Sequence, residues 1–488
     1  MNKFILSICI SVIIWLSSCT SNTNKDPAAF FISFDKAKED FKIFRKIIET
    51  AHPSLNSYLT PGRSAFLFDS IDATLTKRIT IRNFYNKLWF LVNSIGCSHT
   101  EISLPGFFYD TLYNRKLFFP VPVLLVGDRL LVNSDYDLPP GTEILSVNDI
   151  PASMILDSLI LYNPVEGFRR KTQKYLASTD WGFQFFMKNG GVNKFSVKIK
   201  DTSGVRKSIT LDAINLDELY SRERNRYYYD GMDVDYSLII NDSLKTATLR
   251  LTTFEFNSDN KQNAFESFLK NSFELLKARK EIKSLTIDLR ENTGGSLYNC
   301  FLLNSYLANK PFNEYKEVFT RIEFVPYEEF LSSSFTGNDL EKINTRLKND
   351  FERAGVKRYH LKDSLLESWT PQKFSFSKNV YIITNWNVNS AASYFTLLAR
   401  TTGGAKIVGF ETAGGSNSGN GFVTIKYSLP NTGIEFAFPY VKLLYTNGEP
   451  FTGKGLIPDY IVPDTYESFK KNEDRQKNYI IDSLVGKH

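Results

Sequence analysis

Apolar residues recur at helical spacing in one part of the chain and as short runs in the next. Residues 31–105 predict two helices: the first ends before Pro53, and the second extends from about Ile81 to Ile95. Residues 106–213 hold short apolar runs instead, and the two that flank Gly127-Asp128 predict a β-hairpin. The pattern therefore indicates an N-terminal helical region followed by a β-rich module.

Residues 214–488 alternate between strand and helix patterns, which is typical of a layered α/β fold. Strand patterns at Thr246–Phe254 and Ile282–Ile287 flank an amphipathic helix at Asn263–Lys280. A charged segment at about 312–376 interrupts this alternation and predicts a mostly helical insertion. The insertion is either a lid over a site or a solvated decoration.

One stretch of this last region carries candidate chemistry. Val380–Thr384 predicts a buried strand, residues 385–389 a polar turn, and Ser390 the start of a helix. A serine in that place has an exposed hydroxyl beside first-turn N–H groups that have no acceptor within the helix, so those groups can bind a developing oxyanion. Taken alone, Ser390 is also compatible with a simple N-cap.

The first 30 residues predict export and not part of the fold. An apolar run from Phe4 to Leu16 is too short to span a bilayer well and suits the core of a signal peptide. Its ending, Leu16-Ser17-Ser18-Cys19, resembles a bacterial lipoprotein signal. We therefore expect a signal peptide at 1–18, a lipidated Cys19, and a polar tether at 19–30, which would anchor the protein in the bacterial cell envelope. The alternative is an ordinary secretory signal with an incidental cysteine.

Composition and charge narrow the possible partners and cofactors of the protein. The chain has 488 residues, of which 42% are hydrophobic, so a substantial core can be buried. The formal net charge of +6 is small and is not gathered into a block, which argues against nucleic acid as a partner. Only Cys97 and Cys300 remain beyond the leader, and the four histidines have no metal-ligand spacing, so no disulfide framework, metal or cofactor is expected.

Four short motifs in order resemble the tail-specific (C-terminal-processing) serine peptidase superfamily, which includes the tricorn-like peptidases. They are Ile287-Asp-Leu-Arg-Glu-Asn-Thr-Gly-Gly295, Asn389-Ser-Ala-Ala-Ser393, Val408-Gly-Phe-Glu-Thr-Ala-Gly-Gly415 and Phe451-Thr-Gly-Lys-Gly-Leu-Ile-Pro-Asp459. The resemblance implies a crotonase-like α/β catalytic core. It also implies a serine endopeptidase that acts on peptides or proteins.

The resemblance assigns roles to individual residues. Ser390 would be the nucleophile, and the oxyanion hole would consist of Gly294 or Gly295 together with Ala391. The segment Gly96-Cys97-Ser98-His99-Thr100 resembles the one that supplies the general base in the tricorn-like branch. His99 would therefore be the base and Ser98 would orient its ring, although a lone histidine at a helix end is also compatible with a capping cation.

The sequence departs from the family pattern at two places. The Ser–Lys branch has a lysine where this chain has Gly415, so a lysine base is not expected and His99 takes that role. The tricorn-like branch completes its set with a glutamate, but the closing motif has Thr452 at the usual glutamate position. Glu449 is the candidate for this fourth member, and Glu411 is the second.

The β-rich module has one motif of its own. Gly141-Thr-Glu-Ile-Leu-Ser-Val-Asn-Asp149 resembles the strand and turn of PDZ domains, which bind a peptide along a sheet edge. An unrelated β-domain packed on the core is the alternative. Together these features predict an exported, membrane-anchored serine endopeptidase. The competing class is a catalytically silent lipoprotein that uses the same fold to bind peptides or apolar ligands.

Overall fold

The structure is a computed structural model, and it describes residues 30–222, 234–448 and 453–485. The predicted signal peptide, the lipidation site Cys19 and the candidate Glu449 lie outside these ranges. No helix within the described ranges is both long and apolar enough to cross a bilayer.

The N-terminal region has the two predicted helices and a third between them. Its elements are β1 (Phe31–Ile32), α1 (Phe34–Ala51), α2 (Pro61–Ala73), β2 (Ile79–Thr80), α3 (Ile81–Ile95) and β3 (Glu101–Ser103). Helix α3 ends at Gly96, whose φ of +73° is the left-handed conformation that glycine adopts at little cost. The chain therefore turns directly from α3 into the segment that contains His99.

The next region has more helix than predicted. Its elements are α4 (Gly106–Leu112), β4 (Val123–Val126), β5 (Arg129–Val132), β6 (Glu143–Val147), β7 (Ile150–Pro151), α5 (Ala152–Leu159), α6 (Arg170–Thr179), α7 (Trp181–Asn189), β8 (Lys194–Lys200), β9 (Arg206–Asp212) and α8 (Leu216–Arg222). The sheet has the order β4-β5-β6-β8-β9, and the predicted hairpin is confirmed because Val126 pairs with Arg129. A loop from Asn163 to Arg169 leads from this sheet into α6.

The third region begins with the predicted strand–helix–strand unit. Its first elements are β10 (Tyr236–Asn241), β11 (Thr246–Leu251), α9 (Asp259–Ala278), β12 (Ser284–Asp288) and α10 (Leu297–Ser305). Helix α9 buries Phe265, Leu269, Phe273 and Leu276, which are three or four residues apart and so lie on one face. That face covers the sheet, as its amphipathic pattern predicts.

The prediction that the segment at about 312–376 is mostly helical is wrong. The segment contains β13 (Phe312–Asn313), β14 (Glu317–Thr320), α11 (Gly337–Asp350), β15 (Phe351–Gly355), β16 (Arg358–Leu361) and β17 (Ser368–Trp369). Only α11 is an α-helix. Strand β14 pairs with a strand that lies more than a hundred residues later, and such a partner determines a short strand more than its own residues do.

The last elements carry the candidate nucleophile. They are β18 (Asn379–Thr384), α12 (Ser390–Gly403), β19 (Lys406–Gly409), β20 (Ser418–Ser428), β21 (Glu435–Leu444), β22 (Tyr460–Ile461), α13 (Tyr466–Lys471) and α14 (Arg475–Tyr479). The strand at 380–384 and the helix that begins at Ser390 are confirmed.

Two sheets form the core of this region and confirm the α/β class. The first has the order β10-β11-β12-β18-β19-β22 and is parallel from β11 onward. The second has the order β15-β16-β14-β21-β20, and β3 from the N-terminal region also pairs with β21. Because β12 and β18 are parallel neighbours, with Asp288 beside Ile383, the loops after these two strands lie side by side. The pairing of β3 brings His99 to the same place.

Candidate active site

Ser390 is the first residue of α12, and it does not cap that helix. The N-cap residue is Asn389, whose side chain makes no capping hydrogen bond. Ser390 has φ +48°, a left-handed conformation that costs a residue with a Cβ roughly 1–2 kcal/mol. The interpretation of Ser390 as a simple N-cap is therefore wrong. Strain of this kind persists only where the surrounding structure enforces it, and it is typical of functional sites.

His99 contacts the Ser390 hydroxyl directly. The distance between His99 Nε2 and Ser390 Oγ is 2.9 Å, and His99 Nδ1 lies 3.2 Å from Ser98 Oγ. Ser98 in turn donates to Asn389 Oδ1 at 3.3 Å. The arrangement fits the neutral imidazole tautomer with its proton on Nδ1, which leaves Nε2 free to accept the serine proton.

The residue after His99, Thr100, is held in place by a hydrogen bond from the buried His52. His52 Nδ1 accepts a hydrogen bond from Ser54 N at 3.0 Å, so His52 Nε2 carries the proton that it donates to Thr100 Oγ1 at 2.7 Å. The backbone N–H of His52 bonds to Ile48, so this residue does cap α1 as expected. Its ring has a second role, because burial lowers its pKa to about 3 and keeps it neutral beside Thr100.

The surroundings of His99 also favour a neutral imidazole. Burial lowers the pKa of His99 from its ordinary value of 6.5, while the Glu166 carboxylate raises it and the Lys442 ammonium lowers it. The net shift is downward. A base of this kind is neutral, and so able to accept a proton, over the whole neutral pH range.

The loop after β12 approaches Ser390 through two glycines. Gly294 and Gly295 have φ values of +118° and +127°, which residues with side chains rarely adopt. A Cβ on Gly294 would lie 2.6 Å from Ser390 Cβ. The N–H of Gly294 donates to Asn292 Oδ1 at 2.9 Å. Within the described residues, the N–H groups of Gly295 and Ala391 have no hydrogen-bond acceptor, so both are free donors beside the serine.

Further contacts fix the two-glycine turn in place. Phe254 N donates to Gly294 O at 2.8 Å, and Ser296 N donates to Phe254 O at 3.1 Å. These two bonds extend the parallel pairing beyond β11. Asn292 Nδ2 donates to Leu251 O at 3.3 Å on the same side. The turn is thus bound to its neighbouring strand before any ligand is present.

Ion pairs of the Asp288-Leu289-Arg290 motif hold the loop after β12 in place. The sequence did not indicate this role. Arg290 makes bidentate contacts with Asp288 at 3.0 and 2.7 Å and with Asp474 at 2.8 and 2.7 Å. Arg250 adds a contact to Asp288 at 2.8 Å. The network is buried and joins β11, β12 and the C-terminal segment. Its two bidentate pairs give the loop a defined geometry.

Glu166 is a charged residue near the site that sequence reasoning missed. It lies in the loop between Asn163 and Arg169 and is 1% exposed. Lys442 Nζ lies 2.8 Å from its carboxylate. Arg169, in the same loop, donates to the carbonyl oxygens of Thr412 and Ala413. The β-rich module thus contributes a charged loop to the surroundings of His99.

Of the two candidates for the fourth site residue, the structure describes Glu411 but not Glu449. Glu411 contacts Arg169 at 3.3 Å and accepts a hydrogen bond from Gly455 N at 2.7 Å. Both contacts hold the loop after β19 against its neighbours, and neither of them is to His99 or Ser390. Glu449, the first candidate, lies outside the described residues, and its role stays a prediction.

Three potential metal ligands lie close together. Cys97 Sγ, a ring nitrogen of His99 and a carboxylate oxygen of Glu166 all lie within 4.8 Å of one another. However, the Glu166 carboxylate already pairs with Lys442, and burial raises the pKa of the Cys97 thiol to about 12. A metal ion needs the thiolate and an unpaired carboxylate, so these residues fit a metal poorly.

A cavity of about 190 Å³ lies between the β-rich module and the loops of the site. It is lined by Val123 and Leu124 of β4, by Tyr175 and Ser178 of α6, and on the other side by Glu291 and Asn387. Glu291 precedes the two glycines and Asn387 precedes Ser390. Burial raises the pKa of Glu291 to about 7.

Comparison with known proteins gives a family and a fold. Residues 245–462 match the profile of peptidase family S41. Curated protein sequences give no match. Among solved structures, mature CPAF complexed with lactacystin is similar, with a TM-score of 0.63 and 14% identity over 93% of this chain and 98% of the other. Mature CPAF without that ligand gives a TM-score of 0.62 and 14% identity over 93% and 96%. These two structures show that the fold is shared.

Proposed function

We propose, for a chain that belongs to the S41 superfamily of tail-specific serine peptidases, that Ser390 is the nucleophile and His99 the general base of peptide-bond hydrolysis. The contact that carries the proposal is the 2.9 Å distance between His99 Nε2 and Ser390 Oγ. A serine hydroxyl is a weak nucleophile at its ordinary pKa and needs such a base within hydrogen-bond reach.

In the first half of the reaction, Ser390 Oγ attacks the scissile carbonyl carbon while its proton passes to His99 Nε2. The carbonyl oxygen becomes an oxyanion, which the N–H groups of Gly295 and Ala391 bind. Each such donor contributes about 3–4 kcal/mol of transition-state stabilisation in known acyl-transfer enzymes. The imidazolium then gives its proton to the departing amine nitrogen, the C–N bond breaks, and an acyl-enzyme remains on Ser390.

In the second half, His99 takes a proton from water as the water oxygen attacks the acyl carbon. The second oxyanion binds the same two donors and then collapses, which breaks the bond to Ser390 Oγ. His99 returns its proton to that oxygen, so the enzyme regains its starting state. The released fragment carries a new carboxylate. Ser98 keeps the ring oriented in both halves by accepting from Nδ1.

A serine-directed fluorophosphonate tests this assignment. Its phosphorus bonds to an activated serine oxygen and loses fluoride, so stoichiometric labelling that peptide mass spectrometry maps to Ser390 supports the enzyme. A purified, folded protein that takes up no label at Ser390 contradicts it and favours the silent binding module. Comparison of peptides released by wild type and by Ser390→Ala would then identify substrates.

The fourth member of the catalytic set is proposed to be Glu449 and not Glu411. Glu411 is already bound to Arg169 and Gly455 N, whereas Glu449 lies just before the closing motif, the part of the chain in which the resemblance places this residue. Glu449→Gln should therefore slow labelling of Ser390 by at least about tenfold with unchanged melting. Glu411→Gln should change labelling less and should lower the melting temperature. If Glu411→Gln slows labelling more than Glu449→Gln does, Glu411 and not Glu449 is the fourth member.

The cavity beside the site is proposed to take part of the peptide substrate. Its two sides come from the β-rich module and from the loops that carry Glu291 and Asn387, so a bound peptide would contact the module and the site together. The strand β4 forms one edge of its sheet, and sheet edges bind extended peptides through main-chain hydrogen bonds. The Leu125 N–H on this edge donates to Ser178 Oγ of α6 at 2.9 Å, so an added peptide would have to displace that contact. The PDZ-like assignment of the module rests on this geometry and on its one sequence motif.

We further propose that the protein is exported and anchored through a lipidated Cys19, as the leader sequence predicts. Each buried CH₂ contributes only about 0.8 kcal/mol, so a stable anchor needs more than one acyl chain on this residue. Cys19→Ala should therefore move the mature protein from the membrane fraction to the soluble fraction. Cys9→Ala, which changes the leader itself, should leave the fractionation unchanged. Retention of Cys19→Ala in the membrane fraction would place the tether elsewhere.

A further inference from the structure

We propose that Glu166 is the buried anionic partner of His99: its carboxylate stabilises the imidazolium that forms when His99 takes the Ser390 proton. Lys442 holds that carboxylate in position. The proposal rests on the proposed function, in which His99 is the general base. Glu166 acts through His99, so we call it a positioning residue.

Glu166 and Lys442 form a buried ion pair in the interior. Their side chains are 1% and 2% exposed, and Lys442 Nζ lies 2.8 Å from Glu166 Oε1. Tyr58 Oη donates to the same oxygen at 3.1 Å, and Asn420 Nδ2 donates to Oε2 at 3.3 Å. Both carboxylate oxygens are therefore bound, which is the condition for keeping an ionised carboxylate in the interior.

The pair lies next to the imidazole. A carboxylate oxygen of Glu166 and a ring nitrogen of His99 are within 4.8 Å of each other. Within the described residues, the ring nitrogens of His99 make hydrogen bonds to Ser98 and Ser390, so Glu166 acts on the ring through space. Charges at this distance interact strongly when both are buried, because neither water nor salt screens them.

Glycine at position 415 makes this arrangement possible. A Cβ on Gly415 would lie 2.9 Å from Glu166 Cγ and 2.4 Å from Ser418 O, so a larger residue would displace the carboxylate. In this chain the Glu166 carboxylate occupies the space beside Gly415. A nearby negative charge suits His99, which becomes positive only during the reaction.

The charges around His99 make the proposal testable by pH. Among the described residues, the titratable or charged groups that interact with His99 or Glu166 are Tyr58, Cys97, Arg169, Lys442 and Tyr445. Glu166 raises the pKa of His99 and Lys442 lowers it. Labelling of Ser390 requires neutral His99, so its rate falls as pH falls through that pKa. Loss of Glu166 must move this acid limb to lower pH, and loss of Lys442 must move it to higher pH.

The experiment measures the rate of fluorophosphonate labelling of the purified full chain against pH. Glu166→Gln keeps the shape and one acceptor oxygen, removes the charge and replaces the other oxygen with an NH₂ donor. We expect labelling at neutral pH to slow about tenfold or more, where tenfold equals one pKa unit of differential interaction. We expect its acid limb to shift to lower pH, and that of Lys442→Met to shift to higher pH. A general loss of packing would not shift the two limbs in opposite directions.

Asp40→Asn is the matched control, because it also removes a fully buried carboxylate. Asp40 binds Asn431 and Thr432 and has no contact with the site, so this variant should melt lower but keep the wild-type pH profile. If Glu166→Gln does not fold, the double variant Glu166→Gln/Lys442→Met removes the pair as a neutral unit. It should fold and still label slowly.

Two results would overturn the proposal. The first is a folded Glu166→Gln that labels at the wild-type rate with an unchanged pH profile. The second is a shift of both single variants in the same direction. If wild type itself is not labelled at Ser390, the proposed function fails instead, so the two failures are distinguishable.

Discussion

His99→Ala is expected to lose nearly as much activity as Ser390→Ala, about 10⁴-fold or more relative to wild type. The two residues act as a unit through the 2.9 Å contact between Nε2 and Oγ, and effects within such a unit are not additive. The double variant should therefore be little worse than either single one. The fluorophosphonate labelling rate at Ser390 measures the loss in His99→Ala. The comparison with Ser390→Ala and the double variant, which have no Ser390 oxygen to label, uses kcat/KM once a substrate is known.

Two controls accompany this prediction: a substitution of Lys454, and the melting temperature of His99→Ala. Lys454 lies in the closing motif and is exposed, so Lys454→Ala should keep nearly wild-type labelling. His99→Ala removes a ring that makes hydrogen bonds only to Ser98 and Ser390 within the described residues, so its melting temperature should change little. Near-normal turnover of a folded His99→Ala would exclude His99 as the base.

The strands that carry the site could be predicted from the sequence. The apolar runs of β12 and β18 are short and end in polar or glycine-rich segments, which is the local signal of buried parallel strands. The strand–helix–strand order predicts the pairing of β11 with β12, but it does not predict that β18, which follows a helix and several intervening strands, pairs with β12. The left-handed φ of Ser390 could not be predicted in the same way, because serine has no preference for that conformation and only the surrounding loops enforce it.

The role of His99 could not be predicted from the local sequence pattern alone. Its own neighbourhood, a glycine after a helix, is equally typical of a capping cation. Only the resemblance to a family pairs it with Ser390, and the contact between them depends on β3 pairing with β21. A long-range strand pair of this kind leaves no periodic signal in either segment.

Glu166 was missed because its loop has no motif, but two other residues carried a signal. Lys442 interrupts the apolar run Phe436-Ala-Phe-Pro-Tyr-Val-Lys-Leu-Leu444, and a lysine in a buried strand needs an anion. Gly415 stands where the related branch has a lysine, which indicates that another group fills that space. The sequence predicts that Lys442 has a partner, while only the packing of the β-rich module against the core identifies it.

Gly295→Ala is expected to lose both activity and stability. Gly295 has φ +127°, and a Cβ there would lie 2.5 Å from Glu255 N and 2.6 Å from Phe254 C, so the backbone that holds the turn must shift. The shift moves the Gly295 N–H away from the oxyanion, and one lost donor costs roughly 10²–10³-fold in turnover. The measurements are thermal melting and the labelling rate per folded molecule.

Gly404→Ala separates backbone strain from catalysis in this test. Gly404 ends α12, the helix that begins at Ser390, and has φ +74°, but a Cβ there meets nothing within 4 Å. Gly404→Ala should cost roughly 1–2 kcal/mol of stability through its left-handed φ and should label at the wild-type rate when folded. Gly295→Ala should melt lower than this control and label more slowly when folded. If both variants label equally fast, the turn at Gly295 is structural only, and Ala391 is left as the one donor to the oxyanion among those proposed here.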